Sequence, residues 1–294
     1  MEEYILSVNN LCKSYNAFSL KNVGFEIPRG YIMGFIGKNG AGKSTTIKCI
    51  MDLIPFESGT IKLFNLDNRQ HSDEIRQRVG YVSEEQYFYE NMSVGWTVNF
   101  FGGFYPNWDR NYCKELLERF AIDPSKKVSE LSKGMKMKLA LTIALSHKPE
   151  LLILDEPTSG LDPVVRDELL ELLLEIVQDE NRSVFFSSHI TSDIEKIADF
   201  ITIIENGEII LSDEKDAIID KWRLFKIDNM YGNEKIFGRL RGLKRGEFGY
   251  SGITDNPDGF INEFRRMFPD GKFIMERVSL DELLLRMVKD GGEA

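Results

Sequence analysis

The sequence predicts an α/β fold with a mostly parallel sheet, on three observations. Short apolar runs alternate with helix-forming stretches, the order that sets crossover helices between parallel strands. One run, YIMGFIG at 31–37, feeds straight into the glycine-rich GKNGAGKST at 37–45. Another, LLIL at 151–154, ends in the acidic pair Asp155 and Glu156. Strands that end this way deliver their last residues to the carboxyl edge of a parallel sheet, where ligands bind.

The elements follow in chain order. Residues 4–9, 19–27 and 60–64 read as short strands between polar turns and predict an N-terminal antiparallel β subdomain. Residues 31–37 form a buried strand, and a helix follows from Ser44 to about Leu53. Residues 79–83, 151–155 and 183–188 are further buried strands. A helix is predicted over 163–178, because Asp162 can cap it, Pro163 suits its first position and leucines recur on one face. Residues 201–211 read as a hairpin around Asn206-Gly207, a pair suited to a type I′ turn. The character changes after about residue 214. KWRLFKI, KIFGRLRG and GEFGYSGI read as short strands, 257–267 as a helix and KFIMERV as a strand. Ser279 with Glu282 predicts a capping box that opens a last helix over 280–289. Its leucine face, Leu280, Leu283 and Leu284, packs either on its own small sheet or on a second chain. Residues 215–294 are therefore expected to be a C-terminal α+β accessory domain, whose roughly 80 residues make a marginal core.

Composition narrows the class. The chain has 294 residues, 42% hydrophobic and 29% charged, as in ordinary globular proteins. A net charge of −10 disfavours a general electrostatic grip on nucleic acid, and no nucleic-acid partner is expected. Cys12, Cys49 and Cys113 lie far apart without metal-ligand spacing, and read as thiols in a reducing compartment. The acidic start MEEYILSVNN is not a signal peptide, and no apolar run approaches the ~20 residues that span a bilayer. Work at a membrane would need a partner to supply the membrane part.

The glycine turn and the acids carry the chemistry. Gly37, Gly40 and Gly42 let the backbone curl so that successive N–H groups point at phosphate oxygens, and the following helix offers its positive end to the same anion. Lys43 can reach the β- and γ-phosphates, and Ser44 can ligate magnesium. Asp155 should hold Mg2+ directly or through water, and Glu156 should polarise an attacking water. Two adjacent acids alone usually make a solvated turn; the apolar run before this pair and the phosphate cradle argue otherwise. The expected activity is Mg-dependent ATP hydrolysis.

GKNGAGKST, LSKGMK at 131–136, LLILDEP, SGLD at 159–162 and SSH at 187–189 occur in that order. On these motifs the chain resembles the nucleotide-binding subunit of an ATP-binding-cassette (ABC) transporter over about residues 4–213. The resemblance implies a P-loop NTPase core in a domain of residues 1–214, with an inserted helical subdomain at approximately 85–150. It also implies a head-to-tail dimer with ATP sandwiched between the cradle of one subunit and the signature helix of the other. Carried over by position, Gly37, Lys38, Asn39, Gly40, Ala41, Gly42, Lys43, Ser44 and Thr45 are the cradle. Tyr15 matches the aromatic that stacks on adenine, although it could simply cover the first sheet. Ser132, Lys133, Gly134 and Met135 stand at the signature, with Ser132 and Gly134 facing the opposite γ-phosphate. Asp155 matches the magnesium acid and Glu156 the catalytic glutamate. Ser159, Gly160, Leu161 and Asp162 match the loop that couples the two sites, and His189 matches the γ-phosphate-sensing histidine.

Two departures stand out. The family signature usually reads LSGGQ, and here Lys133 adds a charge while Met135 removes an amide; the helix-start mechanism survives both. In GYVSE, Glu84 stands where the family has a glutamine that ligates magnesium and water. Either Glu84 serves, or Gln86 substitutes if the loop shifts. The aromatic segment 87–109 is in part the core of the helical subdomain and in part a groove for a helix of a membrane subunit, with Tyr87, Phe88 and Tyr89 the foremost candidates for contact.

The leading expectation is thus the ATPase subunit of a membrane transporter, peripheral on the cytoplasmic face of the cell membrane. Its implied partners are an integral membrane subunit and a second ATP-binding subunit, in a homodimer or heterodimer. FYPNWD, LSKGM and the tail VSLDELLLRMV resemble bacterial export-type cassettes encoded apart from their membrane subunits. The competing expectation is a soluble cassette ATPase acting on ribosomes, DNA or protein assembly. Such forms usually carry two cassettes or long coiled coils, and this chain has neither. A P-loop kinase or GTPase would leave LSKGM and SSH without a role.

Overall fold

A computed structural model describes residues 4–247 and 249–287. Strand alternation of buried and exposed residues builds the N-terminal part. Strand β1 (Tyr4–Tyr15) turns into β2 (Phe18–Pro28). Strand β3 (Ile32–Ile36), buried throughout, runs into the glycine turn and helix α1 (Lys43–Ile50). That helix stops short of the expected Leu53, because Asp52 takes a left-handed φ of 51° that ends the helical hydrogen bonding. Strands β4 (Ser58–Leu63) and β5 (Leu66–Asp67) complete a four-stranded sheet of order β2-β1-β4-β5, whose pairs are antiparallel.

Helix α2 (Ser72–Arg78), unforeseen from sequence, leads into β6 (Val79–Val82). Three helices follow, α3 (Val94–Gly102), α4 (Arg110–Arg119) and α5 (Lys133–Leu145). Each opens on a polar cap: Ser93, Asp109 and Ser132 accept hydrogen bonds from the N–H groups of Trp96, Tyr112 and Met135. Then come β7 (Leu151–Leu154), α6 (Pro163–Ile176), β8 (Ser183–Ser188), α7 (Thr191–Ile197), β9 (Phe200–Glu205) and β10 (Glu208–Glu214). Asn206 and Gly207 both have positive φ, 48° and 78°, as a type I′ turn requires.

The central sheet has the order β10-β9-β3-β8-β7-β6, and every pair from β9 to β6 is parallel. Parallel strands covered on both faces are buried along their length, as β3, β7 and β8 are, and the serines at the ends of β8 are hydrogen-bonded. The first sheet packs on this one through Phe25, Phe35 and Phe185, whose ring centroids lie 5.3–5.5 Å apart.

By its internal contacts the chain divides into Met1–Ile209 and Ile210–Ala294. The second unit opens with α8 (Lys215–Lys221) and β11 (Arg223–Asp228). The stretch KIFGRLRG, expected to be a strand, instead begins as helix α9 (Glu234–Phe237), because the Asn233 side chain caps it and accepts from Lys235 N–H. Strand β12 (Arg241–Gly246) starts only after it, followed by β13 (Gly249–Thr254), α10 (Pro257–Met267), β14 (Phe273–Arg277) and α11 (Leu280–Met287). The sheet order is β12-β13-β11-β14. Phe225, Phe260 and Phe264 are fully buried between the sheet and α10. Helix α11 lies against β12 and β13 of its own sheet. Its capping box is half formed. Ser279 accepts from Glu282 N–H, but the Glu282 carboxylate turns forward to Arg286 at 2.6 Å. The expected residues 288 and 289 of this helix lie outside the described residues.

Candidate functional site

Sheet order assembles the site. Strands β3, β8 and β7 are neighbours, parallel, and end at the same edge. Past their carboxyl ends come the 37–42 turn, His189, and the pair Asp155–Glu156, so three distant segments meet. The turn is held open by backbone that only glycine adopts freely, with φ of 82° at Gly40 and 117° at Gly42. A Cβ at Gly42 would lie 2.7 Å from a Leu20 methyl and 2.8 Å from the Phe18 ring. The hairpin turn supports the cradle from behind: Gly207 N–H donates to the Ala41 carbonyl at 3.0 Å, and Lys21 N–H to the Gly207 carbonyl at 2.8 Å.

Inside the cradle the charges are closely coupled. Lys43 Nζ, 5% exposed, donates to the Gly37 carbonyl at 2.6 Å and the Lys38 carbonyl at 3.1 Å. It also stands 3.0 Å from Glu156 Oε1, an ion pair rather than an aligned hydrogen bond. The other carboxylate oxygen of Glu156 lies 2.7 Å from His189 Nδ1, which must donate because a carboxylate only accepts. Glu156 N–H donates to Ser187 Oγ at 2.9 Å, and Ser187 O–H donates to Asp155 Oδ1 at 2.7 Å. Ser187 thus locks both acids to the end of β8. Burial and the adjacent Asp155 carboxylate push the Tyr81 phenol up to about 12.

A cleft of about 390 Å3 opens above this network. The turn contributes Asn39, Gly40, Gly42, Lys43, Ser44 and Thr45, and Phe18, Glu84 and Glu156 line the rest. Phe18 was missed from sequence. It is the register partner of Tyr15 across the β1–β2 turn, so the tip of that hairpin carries two aromatics. Tyr15 is 48% exposed outside the lining, with Lys13 Nζ 5.0 Å from its ring centroid. Glu84 lines the cleft, whereas the Gln86 amide donates to the Ser83 carbonyl. Asp155 is buried behind the lining. No group of three or more His, Cys, Asp or Glu side chains among the described residues forms a cation cage. The donors at the cleft, Ser44 and Glu84, suit a cation that brings phosphate and water oxygens of its own, as magnesium does.

Ser132, Lys133, Gly134 and Met135 are at the start of α5 and do not line the cleft. Lys133 and Gly134 lie instead against the 159–162 loop and the start of α6. A Cβ on Gly160 would meet Lys133 Nζ at 2.8 Å, and one on Gly134 would touch Val165 and Leu161. Asp162 caps α6, accepting from Val164 and Val165 N–H at 3.1 Å each. Ser159 N–H donates to the Glu156 carbonyl at 3.1 Å, which links the loop to the acids.

The aromatic segment divides into two faces. Gly102 lies under the Trp108 ring, and Tyr105 stacks on buried His147 at 4.0 Å. On the outer face Trp96 and Phe100 stack at 5.0 Å, with Tyr89 perpendicular to both. Tyr87, Tyr89, Trp96, Phe100 and Phe104 are all exposed, while Phe88 is half-buried against Phe101. No helix among the described residues is long and apolar enough to cross a membrane.

Comparison with known proteins agrees with this fold. The family model described as ABC transporter matches residues 20–159. The bacitracin transport ATP-binding protein BcrA of Bacillus licheniformis is 36% identical over 98% of this chain and 95% of its own length. The lantibiotic transport ATP-binding protein SrtF of Streptococcus pyogenes is 35% identical over 81% of this chain and its whole length. A solved ATP-binding subunit of an ABC transporter superposes with a TM-score of 0.67 at 30% identity, covering 74% of this chain and 92% of the other.

Proposed function

The chain belongs to the ATP-binding subunits of ABC transporters, a family of ATPases, and from that premise we propose that it drives a separate membrane subunit that exports a peptide antibiotic or a similar amphiphile. The observation that carries the mechanism is the Glu156 carboxylate, held between Lys43 Nζ at 3.0 Å and His189 Nδ1 at 2.7 Å at the base of the cleft. In this reading the 37–45 turn and Lys43 hold the phosphates, and Ser44, Glu84 and Asp155 serve bound Mg2+, which neutralises phosphate charge. Glu156 orients the attacking water and His189 fixes the carboxylate. Aromatic Tyr15, or Phe18 beside it, stacks on the base. Ser132 and Gly134 complete the site of a second subunit, because the start of α5 stands apart from the cleft of its own chain. Residues 210–294 act as an accessory domain. The exposed row Tyr89, Trp96 and Phe100 receives the membrane subunit. Export of a peptide is supported by the near-complete alignment with the bacitracin transport relative, which runs through both units of the fold.

The test pairs chemistry with assembly. Glu156→Gln should retain ATP binding, lower turnover at least about 100-fold, and accumulate an ATP-bound dimer in sedimentation. Wild-type turnover should rise more than linearly with protein concentration. Near-normal hydrolysis by the variant, or strictly linear activity, overturns the reading. Co-purification with a multi-span membrane protein separates the transporter from a soluble cassette ATPase.

A further inference from the structure

Among the described residues the sheet of the second unit has two free edges, and they differ in kind. Strand β12 borders one and β14 the other. A free edge presents a row of unpaired N–H and C=O groups, which natural proteins blunt with like charges. Strand β12 is blunted in this way, since Arg241, Lys244 and Arg245 are its only charged residues and all are cationic. Antiparallel pairing of two β12 strands would set these cations against one another.

Strand β14 is not protected. Ile274 is 58% exposed and Met275 48% exposed, on opposite faces of the strand. Met275 lies across from buried Phe225, on the face covered by α10, and Ile274 lies across from Lys226 on the other face. Helix α11 packs on β12 and β13. The charges on and beside β14 have both signs, with Lys272 just before the strand and Glu276 and Arg277 at its end. Glu276 pairs with Lys226 at 2.8 Å. Lys272 has no ion-pair partner at this edge among the described residues.

We propose that β14 pairs antiparallel with β14 of a second copy of this chain, joining two four-stranded sheets across a two-fold axis at Ile274. The register follows from the charges. With Ile274 opposite its symmetry mate, Lys272 of each copy faces Glu276 of the other, and Phe273 faces Met275. Each axis-related pair then occurs twice, as an isologous contact requires. The neighbouring two-fold registers, centred on Phe273 or Met275, would set Lys272 or Glu276 against Ile274 and lose both opposite-charge pairs. A second copy is favoured over a foreign peptide because the strand is complementary to itself. A pairing this short is smaller than a stable standard interface. It holds two chains near one another between cycles of nucleotide, and is independent of the ATP-sandwich contact proposed above.

Thiol trapping tests the register without nucleotide. Directly opposed strand residues have Cα atoms about 4.5–5.5 Å apart, inside the disulfide range. Full-length Ile274→Cys should therefore cross-link under mild oxidation at least about tenfold faster than Leu243→Cys on the β12 edge or wild type with its native thiols. In the Ile274→Cys background, Lys272→Glu alone and Glu276→Lys alone should each suppress the cross-link. Mixing the two restores both opposite-charge pairs and should recover it. Equal rates at the two edges, or no recovery on mixing, overturns the proposal. ATP turnover of each variant is read separately, so a failure of the ATPase reading does not affect this result.

Discussion

His147 shows how one buried side chain ties stability to pH. It is 2% exposed, stacks on Tyr105 and has Nε2 3.2 Å from the Val79 carbonyl. A carbonyl only accepts, so Nε2 carries the proton in the neutral ring. Burial pushes its pKa down to about 4, against the opposing effect of the hydrogen bonds to backbone carbonyls. The unfolded chain, with an ordinary histidine near 6.5, therefore binds the extra proton first as pH falls. Stability that is fully present above pH ~6.5 should be lost progressively towards pH ~4, by about 2 kcal/mol between pH 7.5 and 5. Denaturant titrations at those two pH values check this. His147→Phe keeps a ring against Tyr105 and should show a smaller pH-dependent loss by about that amount, and an equal loss in both proteins rejects the assignment. Residue-level legibility was uneven in the same way. Lys43, Glu156 and His189 stand in local motifs and could be picked out individually. Phe18 could not, because its place in the cleft depends on the β1–β2 turn folding over Gly42, a contact between residues 24 apart in sequence.

At the scale of elements, the Asn206-Gly207 turn was readable as a hairpin, but not its second task. Its backbone supports the phosphate cradle through the Ala41 carbonyl, and a Cβ at Gly207 would fall 1.8 Å from the Ser19 carbonyl oxygen. Gly207→Ala should therefore shift the β1–β2 strands and the cradle together. It should cost about 2 kcal/mol or more of stability and weaken ATP binding at least about tenfold. Calorimetry and nucleotide titration measure the two effects, and loss of stability with unchanged affinity would separate the turn from the cradle. The buried strands β3, β7 and β8 were legible from the apolar runs at their centres, IMGFI, LLIL and VFF. Helix α9 was not, since its four residues carry too little periodicity to outweigh the strand-like composition around them. What decided it was the Asn233 cap.

For the whole molecule, sheet order does what no single motif does. The first motif lies more than a hundred residues from the other two, and the β3-β8-β7 order alone brings 37–45, 155–156 and 187–189 together. Family resemblance implied that arrangement, while apolar patterning by itself does not fix which strands are neighbours. The unit boundary at Ile209–Ile210 lies within β10, a few residues before the composition change at 214. Every residue lining the cleft precedes residue 160. A chain ending at residue 214 should then bind ATP within about tenfold of the full chain, a difference below ~1.4 kcal/mol. Titration with a fluorescent ATP analogue checks this, and loss of binding would show that the second unit is needed to fold the first.

Glu156 has a backbone φ of +50°, a left-handed conformation that side chains other than Gly, Asn and Asp adopt at some cost. Folding alone would therefore choose a different amino acid at this position. Glu156→Asn and Glu156→Gly should be more heat-resistant than Glu156→Gln, which keeps the backbone strain without the carboxylate. In a lineage released from the need to hydrolyse ATP, this codon would be among the first to change, and the inactive descendants would be the sturdier proteins. An Asn or Gly here in an otherwise intact relative is thus a sequence-readable mark of a degenerate site.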